Sequence, residues 1–159
     1  MAQHLWLLRH GEAEPHDARP DAERRLTQRG EDQARSAGLA FKRLELTFHL
    51  VFSSPKARAL QTAQLCCEQQ GCEPVVHEPL SEDFTAKGAL ELAAMAGADQ
   101  RVLIVGHNPD FTQIVHDLTG ARVELKKGGV AGVRCRPGGG ELLALLRPRE
   151  LDRLAEVSR

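Results

Sequence analysis

Tyrosine is absent from this sequence of 159 residues, and all aromatic residues together make up only 4% of it. So few rings argue against the stacking platform with which proteins bind single-stranded nucleic acid. A basic surplus is missing as well, because 21 lysines and arginines face 22 aspartates and glutamates, whereas nucleic-acid-binding domains carry an excess of positive charge. No apolar run approaches the ~20 residues that span a bilayer. We therefore expect a protein that binds neither nucleic acid nor membranes.

The four cysteines lack the spacing of a redox or zinc motif. They are Cys66, Cys67, Cys72 and Cys135, and no pair of them follows the C-x-x-C pattern. The first residues also lack the basic segment and the small-residue cleavage site of a signal peptide. We therefore expect Cys66 and Cys67 to be thiols in or near the core, and we expect a reducing, cytoplasmic setting.

The composition is that of an ordinary globular protein, with 42% apolar and 27% charged residues, and the length suits one domain. We expect residues 1–159 to form a single domain and the protein to be a monomer. Strand-like and helix-like segments alternate over the first two thirds of the chain. This alternation is typical of a three-layer α/β/α sandwich with a mostly parallel central sheet.

Hydrophobic periodicity and capping residues place the individual elements. Strands are predicted at residues 4–9, 49–53, 74–77, 101–105, 123–125, 130–135 and 141–146. Helices are predicted at residues 28–46, 55–70, 88–95 and 109–119, with a short one after residue 148. Ser54 and Pro55 are predicted to be the N-cap and the first residue of the second helix.

Three of the predicted strands end in residues that can bind an anion. Arg9 and His10 end the first strand, Arg58 lies one turn into the helix after the second, and His107 follows the fourth. Ligands of such sheets bind beyond the carboxyl ends of the strands. Arginine matches phosphate oxygens with its planar fork, and helix N-termini attract anions. The pattern therefore predicts a phosphate pocket that contains two histidines.

Each of these residues also has an ordinary structural explanation when it is taken alone. Arg9 and Arg58 could be surface charges, His10 a polar residue at a strand end, and His107 part of a strand-to-helix turn. Their occurrence together at one predicted edge of the sheet favours the functional interpretation.

Four motifs carry a family resemblance. They are residues 8–12 (LRHGE), residues 26–30 (LTQRG) followed by Gln33-Ala34, residues 53–63 (SSPKARALQTA) and residues 105–109 (VGHNP). In this order they resemble the histidine phosphatase superfamily, which has the phosphoglycerate-mutase-like fold. The small size and the Gly-His-Asn-Pro form are most similar to the SixA-type phosphohistidine phosphatases.

The resemblance implies a role for each residue of the predicted pocket. His10 is the implied nucleophile, which forms a covalent phosphohistidine, and Arg9, Arg58 and His107 bind the phosphoryl oxygens. The cationic side chains replace a metal ion, so neither a metal nor another cofactor is expected. We also expect the two arginines to lower the pKa of His10 and a backbone carbonyl to fix its tautomer.

Glu82 is the candidate general acid, because mutase-like members carry a glutamate two residues after a leucine and Leu80-Ser81-Glu82 fits this pattern. An exposed loop carboxylate is the equally weighted alternative. A phosphohistidine substrate does not require the acid, since its imidazole can arrive protonated and leave neutral, whereas an ester needs a proton for its leaving oxygen.

The short segment before the fourth strand bears on the substrate. Only about two dozen residues, 78–99, separate it from the third strand, which leaves no room for a lid subdomain. An open cleft favours a phosphohistidine on a partner protein as the substrate. A small-molecule phosphomonoesterase and a non-catalytic sensor of phosphate or phosphoprotein remain alternatives.

Overall fold

A six-stranded mixed β-sheet forms the middle layer of the protein in a computed structural model that describes residues 2–156. The strand order is β3-β2-β4-β1-β5-β6, and the pairings among β1 to β4 are parallel, whereas β5 and β6 run antiparallel. The strands are β1 Gln3–Arg9, β2 Leu50–Ser53, β3 Val75–Val76, β4 Arg101–Gly106, β5 Val130–Arg136 and β6 Gly139–Leu146. The mostly parallel sheet predicted from the sequence is confirmed.

Five helices cover the two faces of this sheet. They are α1 Gln28–Arg43, α2 Ala57–Cys67, α3 Ala86–Ala93, α4 Asp110–Thr119 and α5 Pro148–Ala155. Alternate residues of β1 enter different cores: Leu5 and Leu7 pack with α3 and α4, while Trp6 and Leu8 pack with α1, α2 and α5. Because each side of the sheet has its own apolar cluster, the α/β/α sandwich is also confirmed.

The start of α2 differs from the prediction. The helix begins at Ala57 with Lys56 as its N-cap residue, so Ser54 is not the cap and Pro55 is not the first helical residue. Lys56 has an extended backbone, and its N–H donates to Ser54 Oγ at 3.2 Å. The Ser54 side chain therefore stabilises a bend between β2 and α2 instead of the first helical turn.

The strand predicted at residues 123–125 is absent, and this prediction was wrong. Leu125 is 1% exposed, so the apolar character of the segment reflects burial rather than strand pairing. Its carbonyl accepts hydrogen bonds from the side chains of Arg9 and Asn108, at 2.9 and 3.1 Å. These contacts take the place of a strand partner and hold the segment near the carboxyl ends of β1 and β4.

The connection between β3 and β4 is short, as expected. It holds a 3₁₀ turn, Glu78–Ser81, and the eight residues of α3. No lid lies over the sheet edge in the part of the chain that the structure describes. Cys66 and Cys67 are free and buried, which confirms the expectation for these two thiols, and Cys72 and Cys135 are free as well. No helix within residues 2–156 has the length and apolar character needed to cross a bilayer.

Candidate active site

The carboxyl ends of β1, β2 and β4 open into a cleft of about 430 Å³. Parallel pairing sets the register, since Arg9 lies opposite Gly106 and Ser53 opposite Val105. All five residues predicted from the sequence line this cleft: Arg9, His10, Arg58, Glu82 and His107. The structure therefore brings together side chains that are far apart in the sequence.

His10 presents one ring nitrogen to the protein and leaves the other free. Its Nδ1 lies 2.7 Å from the carbonyl oxygen of Gly11. A carbonyl can only accept, so Nδ1 carries the proton and Nε2 keeps its lone pair. Gly11 is thus the backbone acceptor that the sequence alone could not identify.

The pKa of His10 is lowered to about 3. Burial is the largest cause, and the charges of Arg58, Arg9 and Lys127 lower it further, while the hydrogen bond to Gly11 acts in the opposite direction. The expected effect of the two arginines is therefore present but smaller than that of burial. Lys127 also lines the cleft, next to the turn at Gly128, whose φ is +79°, and was not predicted from the sequence.

His107 lies beside His10, with the ring centroids 5.2 Å apart. Its Nε2 is 2.7 Å from Ser54 Oγ, and its buried Nδ1 has no hydrogen-bond partner among the described residues. The pKa of His107 is also lowered to about 3, first by burial and then by the charges of His10, Arg58 and Lys56. Both rings are therefore neutral at physiological pH.

Arg58 is held by a residue that the sequence analysis missed. One of its terminal nitrogens donates to the backbone oxygen of Asp21 at 2.7 Å, and the other donates to the Asp21 carboxylate at 3.3 Å. The same carboxylate pairs with Arg24 and Lys56. Burial raises the pKa of Asp21, but the hydrogen bonds from Arg24 and Lys56 outweigh it and hold the pKa below its usual range.

Two further buried nitrogens lack partners near the cleft. The Nε atoms of Arg9 and Arg58 have no hydrogen-bond partner within residues 2–156. Arg9 is fixed at its other end by the bond from Nη1 to the Leu125 carbonyl. Together with His107 Nδ1, these donors lie in side chains that line one cleft, which suits an anion with several oxygens.

Glu82 lies on the acidic side of the cleft. It is exposed, and Asp83 and Asp110 line the cleft next to it. Asp110 accepts a hydrogen bond from the Phe84 N–H at 3.1 Å, yet none of the three carboxylates forms an ion pair with a described residue. Nor does any group of three or more metal-ligating side chains in the described range meet closely enough to hold a metal ion. The cleft is thus lined by the cationic side chains of Arg9, Arg58 and Lys127, here called its cationic floor, and by these three carboxylates, here called its acidic wall.

The lowered pKa values of the two histidines predict an unusual titration. In NMR spectra recorded against pH, the Cε1–H signals of His10 and His107 should shift only well below pH 5, whereas an unperturbed histidine titrates near pH ~6.5. The unfolded chain then binds more protons than the folded one between these values, so the free energy of unfolding should fall as the pH drops from about 6.5 towards 3. Midpoints near 6.5 for both signals would contradict the geometry described.

A model of the histidine phosphatase superfamily (branch 1) matches residues 5–86 of the chain. An uncharacterised protein from Picosynechococcus sp. is 32% identical over 138 residues, which cover 82% of this chain and 84% of that protein. The residues that the family model matches include His10 and Arg58.

Solved structures share the fold. The protein histidine phosphatase SixA complexed with tungstate is similar with a TM-score of 0.82 at 24% identity, over 93% of this chain and 99% of that one. A protein from Nakamurella multipartitia, which is also named as a phosphohistidine phosphatase SixA, is similar with a TM-score of 0.75 at 25% identity, over 93% of this chain and 97% of that one. The α/β/α architecture of this chain is therefore shared with proteins whose structures have been solved.

Proposed function

Because the chain belongs to the histidine phosphatase superfamily and is a phosphatase, we propose that it transfers a phosphoryl group to His10 and then to water. The observation that carries this proposal is the free Nε2 of a neutral His10 in a cleft with a cationic floor. We further propose that the substrate is a phosphohistidine on a partner protein.

In the first step, the lone pair of His10 Nε2 attacks phosphorus and the bond from phosphorus to the substrate nitrogen breaks. The electron pair of that bond stays on the leaving imidazole, which arrives protonated at its other nitrogen and leaves neutral. His10 keeps the proton on Nδ1 and becomes a phosphorylated imidazolium, whose charge the Gly11 carbonyl stabilises. No proton needs to be supplied.

Arg9, Arg58 and His107 bind the three phosphoryl oxygens in this proposal. The unpartnered nitrogens of these residues support it, as does the hydroxyl of Ser54. That hydroxyl already accepts from the Lys56 N–H and can donate to His107 Nε2, which leaves the proton of the neutral ring on Nδ1. Donors fixed in this way stabilise the charge on the transferring group without rearrangement.

In the second step, water attacks the phosphorus of phospho-His10. The bond between phosphorus and Nε2 breaks, its electron pair returns to Nε2, and the product leaves as dihydrogen phosphate. His10 is regenerated with its proton on Nδ1, so that the reaction balances without a metal ion or a redox partner.

The acidic wall supports phosphohistidine as the substrate. Glu82, Asp83 and Asp110 lie without cationic partners in the described chain beside the phosphate-binding floor. They favour a leaving group with a positive charge, such as a protonated imidazole, and disfavour one that carries further carboxylates or phosphates. The absence of a lid in the described residues leaves the cleft accessible to a side chain on a folded protein.

A phosphomonoesterase is the second candidate, because Glu82 lines the cleft and could protonate an alkoxide leaving group. A general acid typically contributes about 10²–10⁴-fold in rate. The two candidates therefore differ in how strongly the rate depends on Glu82. A non-catalytic sensor would have no use for a free nucleophilic nitrogen at His10.

A substrate panel tests the proposal. The wild-type protein and Glu82→Gln are incubated with a protein phosphorylated on histidine, with p-nitrophenyl phosphate and with a sugar phosphate, and phosphate release is measured. We expect the phosphohistidine protein to be hydrolysed fastest and Glu82→Gln to change that rate by less than about 3-fold, as does the control Glu91→Gln on the exposed side of α3.

Two other outcomes would contradict this proposal. Faster hydrolysis of the esters, with a loss of ~10² or more in Glu82→Gln, would support the phosphomonoesterase. Binding of inorganic phosphate without turnover of any substrate in the panel would support the sensor.

A further inference from the structure

We propose that Gln33 is a positioning residue that fixes the reactive tautomer of His10 through the peptide bond between Gly11 and Glu12. This inference rests on the proposed function, in which His10 Nε2 attacks phosphorus. Gln33 belongs to the second sequence motif, but none of the roles assigned above uses it.

Both polar atoms of this one peptide unit are engaged. Its carbonyl oxygen, on Gly11, accepts from His10 Nδ1 at 2.7 Å. Its N–H, on Glu12, donates to Gln33 Oε1 at 2.8 Å. Because a peptide unit is planar, the bond to Gln33 sets the direction of the carbonyl that faces His10. A side chain on α1 thereby controls the orientation of the acceptor at the nucleophile.

Gln33 is itself held firmly. It is 8% exposed and lies between the loop after β1 and the turn at Gly128. A Cβ atom added to Gly128 would lie 3.1 Å from Gln33 Cβ, so this turn packs closely against Gln33. The Gly128 N–H donates to the carbonyl of His10 at 2.8 Å. The start of α1 is fixed to the same loop, since the Thr27 N–H donates to the Glu12 carbonyl at 3.0 Å.

The same contact also strengthens the bond at His10. When an amide N–H donates a hydrogen bond, the peptide becomes more polarised and its carbonyl becomes a better acceptor. A stronger acceptor at Nδ1 favours the proton there and increases the electron density at Nε2. Without Gln33 Oε1, the peptide could rotate, and the tautomer with its proton on Nε2, which cannot attack phosphorus, would become populated.

Replacement of Gln33 by methionine tests this inference, because methionine keeps the length of the side chain and removes the acceptor. We expect the rate of phosphoryl transfer to fall by about 10–10²-fold, the range found when the outer-shell partners of metal-binding histidines are removed, with little change in KM. Glutamate keeps the acceptor, so Gln33→Glu should stay within about 3-fold of the wild type. Gln64→Met on the exposed side of α2 is the matched control.

The decisive measurement is the tautomer itself. In ¹⁵N NMR spectra, His10 of the wild type should show a protonated Nδ1 and an unprotonated Nε2, and Gln33→Met should show a mixture. Gln33→Asn, whose amide is one methylene shorter, provides a second variant if Gln33→Met does not fold. Since this signal needs no turnover, it separates a failure of the inference from a failure of the proposed function.

Two results would overturn the inference. One is a wild-type tautomer and a wild-type rate in Gln33→Met. The other is a reduced rate with an unchanged tautomer and a lower stability to urea, which would mean that Gln33 only packs the loop.

Discussion

Replacement of His10 by alanine is expected to abolish turnover and the phosphoenzyme. Two cationic side chains and His107 would still bind phosphate, but none of them offers an unprotonated nitrogen at the position of Nε2. With a substrate labelled on phosphorus, the wild type should yield a phosphoprotein that is stable in alkali and labile in acid, as expected of a phosphorylated imidazole. His10→Ala should yield no labelled protein above background.

His116→Ala is the matched control for this experiment. His116 is an exposed histidine in the last turn of α4 and does not line the cleft. It should retain the wild-type rate and the labelled phosphoprotein. Turnover that survives in His10→Ala, or a phosphoprotein that is stable in acid, would mean that another residue is the nucleophile.

Replacement of Arg58 by alanine is expected to lower kcat/KM by about 10²–10³-fold, the usual cost of removing one donor to a charged transition state. The Arg58 guanidinium lines the cleft and would bind a phosphoryl oxygen there, and its loss also removes the strongest Coulombic effect on the pKa of His10. Arg58→Lys should recover only part of the activity, since one ammonium group cannot contact both a phosphoryl oxygen and Asp21.

Arg35→Ala, an exposed arginine on α1, is the control for the loss of positive charge. Urea denaturation of both variants establishes that each is folded at the assay temperature. A kcat/KM within about 3-fold of the wild type in Arg58→Ala would exclude a role for this arginine in the transition state.

The strand ends could be predicted from the sequence because their signals are local. The apolar run of β4 ends in a glycine, and His107 follows directly. His107 could therefore be placed at the ligand-binding edge from two facts: a short apolar run indicates a buried strand, and ligands bind at the carboxyl ends of parallel strands. The residues that support the site carry no such signal. Asp21 begins a single 3₁₀ turn, Asp21–Glu23, within the connection between β1 and α1, and its bonds to Arg58 depend on the path of that connection across the start of α2.

The two wrong predictions, a strand at residues 123–125 and a helix cap at Ser54, have a related cause. An apolar segment such as residues 123–125 indicates burial, and burial alone does not distinguish a strand from a coil whose carbonyl is bound by side chains. At Ser54, the serine-proline pair indicates a helix start equally well whether the hydroxyl caps the helix or lies against His107. Only the position of β4 beside β2 decides between the two.

The pairing of β4 with both β1 and β2 has a consequence for folding. These contacts join segments that are distant in the sequence, and the chain must close long loops before they form. The cleft therefore does not exist in a chain that has folded only locally. Under the proposed function, phosphate or an analogous oxyanion would bind the native state alone and stabilise it by mass action, so the reaction product would also act as a ligand that shifts the folding equilibrium towards the active protein.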